Sequence, residues 1–213
     1  MKYIIMCGGT YTYMKTPKQL LKVKGERLVQ RTIRLLQENG INNIFISSND
    51  KRFDNLGVKR LEHENNYTLT PEGNTGYWLS AFYPTDEECT YLFGDVYYSD
   101  EAIKTIINAK TNTVLFFGSK NYKDNPLYFK EWEEPFGYKV VNQHIFRCCI
   151  EVCKEFKDKG LTNREPVSWE LYRVLQGYDI NEHIIGENYI AIDDYTTDID
   201  HVEDIKELEK ILK

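Results

Sequence analysis

No stretch of this sequence approaches the roughly 20 apolar residues that a bilayer-spanning helix needs, so no membrane segment is expected. The opening run from Met1 to Gly9 carries too short an apolar stretch for a secretory leader. Lys and Arg are nowhere gathered into a patch broad enough to follow a phosphodiester backbone. The 27 basic residues are outnumbered by 33 acidic ones, a net charge of −6, and nucleic acid is not an expected partner. Cysteine is sparse and odd in number: Cys7, Cys89, Cys148, Cys149 and Cys153 show no metal-ligand spacing. The last three fall on one predicted helix and read as small hydrophobes, which fits a reducing cytoplasm. With no internal repeat, low-complexity tract or Pro/Gly/Ser linker, residues 1–213 are expected to form one domain. Two phosphate-binding motifs are also missing, since neither G-x-x-x-x-G-K-[ST] nor G-x-G-x-x-G occurs.

What is present is an alternation of short apolar runs and amphipathic stretches. Lys2–Cys7 reads as a strand buried on both faces. A helix is predicted over Arg27–Asn39, with Leu28, Val29, Ile33 and Leu36 on one stripe and Gly40 as its stop. Asn43–Ser47, Leu56–Leu61, Thr90–Phe93, Thr113–Phe117 and Tyr189–Ile192 are predicted strands. Further helices are predicted near Thr75–Tyr83, from a Ser99 cap to Ala109, and at His144–Lys157, Glu165–Gln176 and Val202–Leu212. Residues 118–140 read as irregular. Strands alternating with helices predict a mainly parallel, mixed sheet flanked by helices in a single-domain, Rossmann-like α/β protein. Ligands in such sheets bind beyond the carboxyl ends of the strands.

Two constellations fall there. The first strand runs into Gly8-Gly9, where the missing Cβ atoms let a ligand approach the backbone, and Lys15 and Lys18 follow in the next loop. A lysine beside a triphosphate neutralises charge that builds as the α-phosphorus is attacked. The second is acidic. Gly94-Asp95 ends an apolar strand, and Asp198-Ile199-Asp200 precedes the last helix, with both aspartates on one side of an extended segment. Three carboxylates meeting near a triphosphate suit Mg²⁺, which takes oxygen ligands from a few acids plus substrate phosphates. Asp200 also stands where an N-cap belongs, with Glu203 at capping-box offset. The two roles are compatible.

Ile4 through Leu20 resembles the signature of nucleotidyltransferases with the GT-A-like fold: a strand, a small-residue loop, Pro17-Lys18, then a helix. The Pro17-Lys18-Gln19 form is similar to that of methylerythritol-phosphate and ribitol-phosphate cytidylyltransferases. Gly94-Asp95-Val96 and Asp198-Ile199-Asp200-His201-Val202-Glu203-Asp204-Ile205 resemble the family's metal-binding segments, with His201-Val202 in place of Thr-Pro. The resemblance implies that Cys7, Gly8, Gly9 and Thr10 lie against the nucleotide, that Lys18 contacts the reacting phosphates, and that Asp95, Asp198 and Asp200 hold Mg²⁺. It implies a base-recognising loop at Gly73, Asn74, Thr75 and Gly76, with Ser80 nearby; from the residues alone, Asn74 or Thr75 would simply cap a helix. One departure is plain: Tyr13 stands where the family places an Arg. Either Lys15 takes over its charge or triphosphate binding is weak, and the tyrosines at 11 and 13 are candidates to fold over a nucleotide.

The acceptor side is expected from the irregular middle and the chain beyond it, with Lys120, Lys130, Lys139, Arg164, Trp132 and Trp169 as candidates. The expected reaction moves a nucleoside monophosphate, CMP first, from an NTP such as CTP to a phosphorylated small molecule and releases pyrophosphate. The chain's many Tyr and Asn residues make it similar to cytidylyltransferases of bacterial capsule assembly, a group that includes phosphoglutamine cytidylyltransferases. Two alternatives stand beside this. A GT-A glycosyltransferase would place its Asp-x-Asp after a mid-chain strand rather than near the end. A non-catalytic nucleotide-binding module would follow if Tyr13 abolished turnover. Association as a homodimer stays open at this point.

Overall fold

Short runs rich in Ile, Leu and Phe become the strands of one seven-stranded sheet, and the amphipathic stretches between them become its covering helices. The structure is a computed structural model and describes residues 1–8, 10–11, 16–70, 73–120, 123, 125 and 129–212, with only the backbone for Thr10 and Tyr11. The strands are β1 (Lys2–Met6), β2 (Ile44–Ser47), β3 (Lys59–Leu61), β4 (Cys89–Phe93), β5 (Val114–Ser119), β6 (Pro135–Val140) and β7 (Tyr189–Ile192). They lie in the order β7-β5-β6-β4-β1-β2-β3. Every pairing is parallel except those of β6, which runs antiparallel to both β4 and β5. The central strands are covered on both faces, and all five residues of β4 are buried. This gives the continuous apolar reading that a sandwiched parallel strand requires.

Five helices flank the sheet: α1 (Leu28–Glu38), α2 (Asp100–Asn108), α3 (Gln143–Asp158), α4 (Ser168–Gln176) and α5 (Val202–Ile211). Their ends follow the local chemistry. Gly40 takes φ 80° just past α1, and Gly177 takes φ 72° at the end of α4, conformations in which a Cβ is disfavoured. Ser99 caps α2 by accepting from Ala102 N at 2.9 Å, with Asp100 and Glu101 in the first turn, where negative charge suits the helix dipole. Among the described residues no helix is long and apolar enough to cross a membrane.

Three local expectations change. A helix over 75–83 does not form: Gly73–Thr75 is a short strand paired with Thr68–Thr70, and only a 3-10 turn follows at Trp78–Ala81. Gly76 breaks any helix there. It sits at φ 73° with its Cα against Asn66, where an added Cβ would lie 1.9 Å from the Asn66 carbonyl oxygen. Helix α4 starts at Ser168 rather than Glu165, because the residue before Pro166 is steered out of helical backbone. The Glu165 carboxylate instead accepts from Trp78 N at 2.8 Å and Asn74 Nδ2 at 3.1 Å.

The third change is the largest. The segment read as irregular contains β6, a strand inserted between β4 and β5. Pro135 and Gly137 hide it, since both residues weaken a strand reading. Pro135 stands at the first position, beside a register shift in β5 between Phe117 and Gly118. Gly137 is required by proximity: a Cβ there would lie 2.2 Å from the Tyr91 carbonyl oxygen.

Candidate active site

At the carboxyl ends of β1 and β4 the chain turns away from the sheet at Gly8 and Gly94. Gly94 N still donates to Met6 O at 3.0 Å, so the two strands stay joined up to the turn. A Cβ on Gly94 would lie 2.6 Å from Met6 O, 2.7 Å from Cys7 Sγ and 2.9 Å from Gln19 Cγ. The glycine is what allows the turn at Lys18–Leu20 to pack over the strand ends. Pro17 fixes the entry to that turn, and Lys18 is only 6% exposed within it.

Asp95 follows Gly94 and is half-buried. A second, two-stranded ladder then recruits the far end of the chain. Val96–Tyr97 pairs antiparallel with Thr197–Asp198, and Ile199 N donates to Asp95 O at 2.9 Å. Asp198 and Asp200 point one way, while Ile199 is fully buried among Val23, Leu28, Tyr97 and Leu208. The alternation of an extended segment thus aims both carboxylates into the cleft by burying the residue between them.

The resulting cleft encloses ≈ 860 Å³ counting its open mouth, within the range of ligand sites, roughly 300–1,000 Å³. Its lining includes Gly8, Tyr67, Trp78 and Ala81, then Glu134, Pro135, Val167 and Ser168, together with Lys18, Asp95, Asp198 and Asp200. Lys18 Nζ donates to Asp200 Oδ1 at 2.6 Å. Lys130 Nζ lies 2.9 Å from Asp198 Oδ1 and 3.2 Å from Asp200 Oδ2.

The electrostatics divide the acids. Burial and the neighbouring Glu134 and Asp200 carboxylates push Asp198 well above the usual carboxylate range, against the pull of Lys130. Burial likewise lifts Glu134 to about 7, opposed by Lys130, and lifts Asp95, opposed by Lys18. Burial also works to raise Asp200, but the adjacent Lys18 ammonium and Lys130 outweigh it and hold its carboxyl well below the usual range. Its four carboxylates outnumber its two ammonium groups, an excess of negative charge that a proton or a cation would relieve.

Glu134, Asp198 and Asp200 each present an oxygen such that the three lie within 4.8 Å of one another, the spacing a single cation demands. Asp198 Oδ1 is buried, with the Lys130 ammonium 2.9 Å away. Three carboxylate oxygens gathered in one all-oxygen group fit a hard divalent ion. Asp95 lines the same cleft but does not belong to that group of three. Sequence reading missed Glu134, which stands in the hidden strand's approach at Glu134-Pro135 and was legible only as one acid among several.

The other expected residues disperse. Cys7 is buried beneath the turn, its thiol pushed up by burial and then by Asp95. Gly9 and Lys15 lie outside the described residues, as does Tyr13. Thr10 pairs through its backbone with Thr68. Gly73, Asn74 and Thr75 are exposed on the small sheet outside the cleft lining, and the Gly76 carbonyl accepts from Lys157. Ser80 faces a different hollow, with its carbonyl 2.8 Å from His63 Nε2; Tyr67, Trp78 and Ala81 line the cleft instead. Glu203 does not cap α5: Asp204 accepts from Asp200 N at 2.8 Å and His201 N at 2.9 Å, leaving the Asp200 side chain to the lysines.

On the acceptor side, Trp132 and Arg164 line a hollow of ≈ 750 Å³ that shares Glu134, Pro135 and Val167 with the cleft. Trp132 is 54% exposed, whereas Trp169 is a core residue that also borders this hollow. Lys139 is elsewhere. Its Nζ donates to Ile107 O and Ala109 O at the end of α2, by the amino ends of the parallel strands, and so cannot reach the cleft. Lys120 pairs with Asp193 at 2.8 Å outside the cleft lining.

Residues 3–133 match the model of the MobA-like NTP transferase domain. No curated protein matches the chain in sequence. Solved structures do share its fold. One is a Bacillus anthracis protein assigned as a glucose-1-phosphate thymidylyltransferase, with 15% identity and a TM-score of 0.60, covering 99% of this chain and 94% of that one. A second is the 4-diphosphocytidyl-2C-methyl-D-erythritol synthase of Anaerococcus prevotii, with 14% identity and a TM-score of 0.56, covering 99% and 96%. A third is the CTP:phosphocholine cytidylyltransferase of Streptococcus pneumoniae, with 16% identity and a TM-score of 0.55, covering 100% and 99%.

Proposed function

The chain belongs to the MobA-like NTP transferase domain family, and from that premise we propose that it transfers CMP from CTP to a phosphorylated small-molecule acceptor and releases pyrophosphate. The observation that carries this reading is the meeting of Gly8, Lys18, Asp95, Asp198 and Asp200 around one cleft, drawn from three distant parts of the chain. CTP is placed first among the nucleotides on the Pro17-Lys18-Gln19 form. The cytidylyl chemistry named for two of the similar structures supports it.

In this reading the NTP lies along the part of the cleft lined by Gly8, Tyr67 and Trp78. Lys18 sits beside the α-phosphate and balances charge as the fifth oxygen approaches. The acceptor enters from the Trp132 and Arg164 hollow, so that its phosphate meets the α-phosphorus across Glu134 and Pro135. Glu134, Asp198 and Asp200 would hold Mg²⁺, with Asp95 lining the same cleft. A bound Mg²⁺ would supply shielding of phosphate charge for an in-line displacement. No covalent enzyme intermediate is needed, since the acceptor phosphate is itself the nucleophile. The reaction belongs to the cytoplasm, and the product suits assembly of a bacterial capsule or another surface polymer.

The test is pyrophosphate release with Mg²⁺, each of the four NTPs in turn, and a pool of phosphorylated sugars, polyols, amino alcohols and amino acids. Release that requires one NTP and one acceptor establishes the reaction. Binding of an NTP with no release from any pair would instead favour a non-catalytic nucleotide-binding module.

A further inference from the structure

Lys130 lies on no strand or helix, yet it is only 8% exposed. Its ammonium approaches Asp198 Oδ1 at 2.9 Å, Asp200 Oδ2 at 3.2 Å and Glu134 Oε1 at 3.9 Å. These three carboxylates are also the ones placed to share a metal ion. A fourth acid, Asp204, stands 3.4 Å away. We propose that Lys130 is the resident cation of the metal site, holding the three carboxylates together until a divalent ion displaces it.

Coulomb's law sets the two cations in competition. An ammonium that approaches all three carboxylates occupies the place a +2 ion would take, and the two repel each other in a half-buried cleft. Mg²⁺ also draws its ligands to about 2.0–2.1 Å, closer than an ammonium allows. Without Lys130, Glu134, Asp198 and Asp200 would face one another with only Lys18 to offset them, and Lys18 already donates to Asp200 Oδ1.

Asp204 supplies a place for the displaced ammonium. Its Oδ2 is fixed by two backbone N–H groups at the start of α5, and it is not one of the three metal-facing acids. Lys130 can keep that contact while it leaves the other three. The incoming triphosphate brings the negative oxygens that then accept the freed ammonium. Metal entry is thereby coupled to nucleotide entry: free metal binds weakly, and metal with nucleotide binds well. This inference rests on the metal-dependent transfer proposed above.

The experiment titrates Mn²⁺ into the nucleotide-free, full-length protein and follows free Mn²⁺ by electron paramagnetic resonance, for the wild type and for Lys130→Met. The variant should bind Mn²⁺ tighter by about 10-fold or more, the factor expected when a competing state holds nine-tenths of the population. Added CTP should strengthen Mn²⁺ binding less in the variant than in the wild type. Equal or weaker binding by a variant that circular dichroism shows to be folded overturns the inference.

Crowded carboxylates can unfold that variant, so a second measurement uses the wild type. In protein labelled with ¹³Cε-lysine, the Lys130 signal, identified by its loss in Lys130→Arg, should move as Mg²⁺ binds. A Lys130 signal that stays in place while Mg²⁺ binds overturns the displacement, even if Lys130→Met tightens Mn²⁺ through charge alone. Absence of Mn²⁺ binding from both proteins, with and without CTP, removes the metal site and this inference together. Equal binding by both removes the inference and leaves the metal site standing.

Discussion

Ile199 N donates to Asp95 O at 2.9 Å, so the backbone that carries Asp198 and Asp200 is tied to the turn that carries Asp95. The strand end and the segment before the last helix are thereby joined across about half the chain, which brings three of the cleft's carboxylates together.

Asp200→Asn should lower turnover by about 10²-fold or more, the scale on which a positioned charge acts on a developing phosphate charge. Asp95→Asn should lower it too. Pyrophosphate release at saturating NTP and Mg²⁺ measures both. Near-normal turnover of either variant removes that residue from the metal-handling set.

Lys18→Met removes the ammonium 2.6 Å from Asp200. If Lys18 acts as proposed, beside the α-phosphate, its loss should reduce kcat by roughly 10²–10³-fold, with a smaller effect on the KM for NTP. Lys18→Arg should restore part of it. A change in KM alone would assign Lys18 to binding rather than to the reacting charge.

Gly94→Ala tests the turn by packing. The added Cβ meets three atoms below 3.0 Å, Met6 O, Cys7 Sγ and Gln19 Cγ, and overpacking of this kind costs ~1–3 kcal/mol. Thermal melting should show the loss, and activity should fall further than stability, because Gln19 and the Lys18 turn must shift. An unchanged melting temperature would show that the turn has slack that its contacts do not reveal.

Glu134 contributes to the pH dependence of the metal-free protein, alongside the raised Asp95 and Asp198. Its folded value is about 7 against an ordinary 4.5, so the native state binds the proton more tightly than the unfolded chain does. Its contribution to stability is full below pH 4.5 and lost as pH rises through 7. The melting temperature of the metal-free protein should therefore fall between pH 5 and 8. Glu134→Gln should flatten that slope, and Mg²⁺ should stabilise the wild type more at pH 8 than at pH 6. A wild-type curve that is flat or rises over this range contradicts the assignment.

Much of the site was legible before folding because it lies in contiguous motifs. Gly8, Pro17-Lys18, Gly94-Asp95 and Asp198-Ile199-Asp200 each declare a turn, a buried strand end or an alternation through local chemistry alone. Glu134 and Lys130 had no such signal. Nothing within a few residues of either distinguishes it from a solvated charge, and only the insertion of β6 beside β4 brings Glu134 to the strand ends. The loop expected to recognise the base lies outside the cleft lining for a similar reason, since Gly76 packs against a carbonyl from Asn66 that no local pattern connects to it.

By itself, then, the sequence determined the alternation of strands and helices, the caps at Ser99 and Gly177, and which turns carry lysine or aspartate, because periodicity and backbone preference act over a few residues. The tertiary structure alone decided that β6 runs antiparallel at the sheet's centre, that Glu134 joins Asp198 and Asp200, and that Lys139 is spent at the opposite edge. Those outcomes depend on which distant strands pair and which carboxylates must then share one cation, and such competition between far segments leaves no trace in any short stretch of chain.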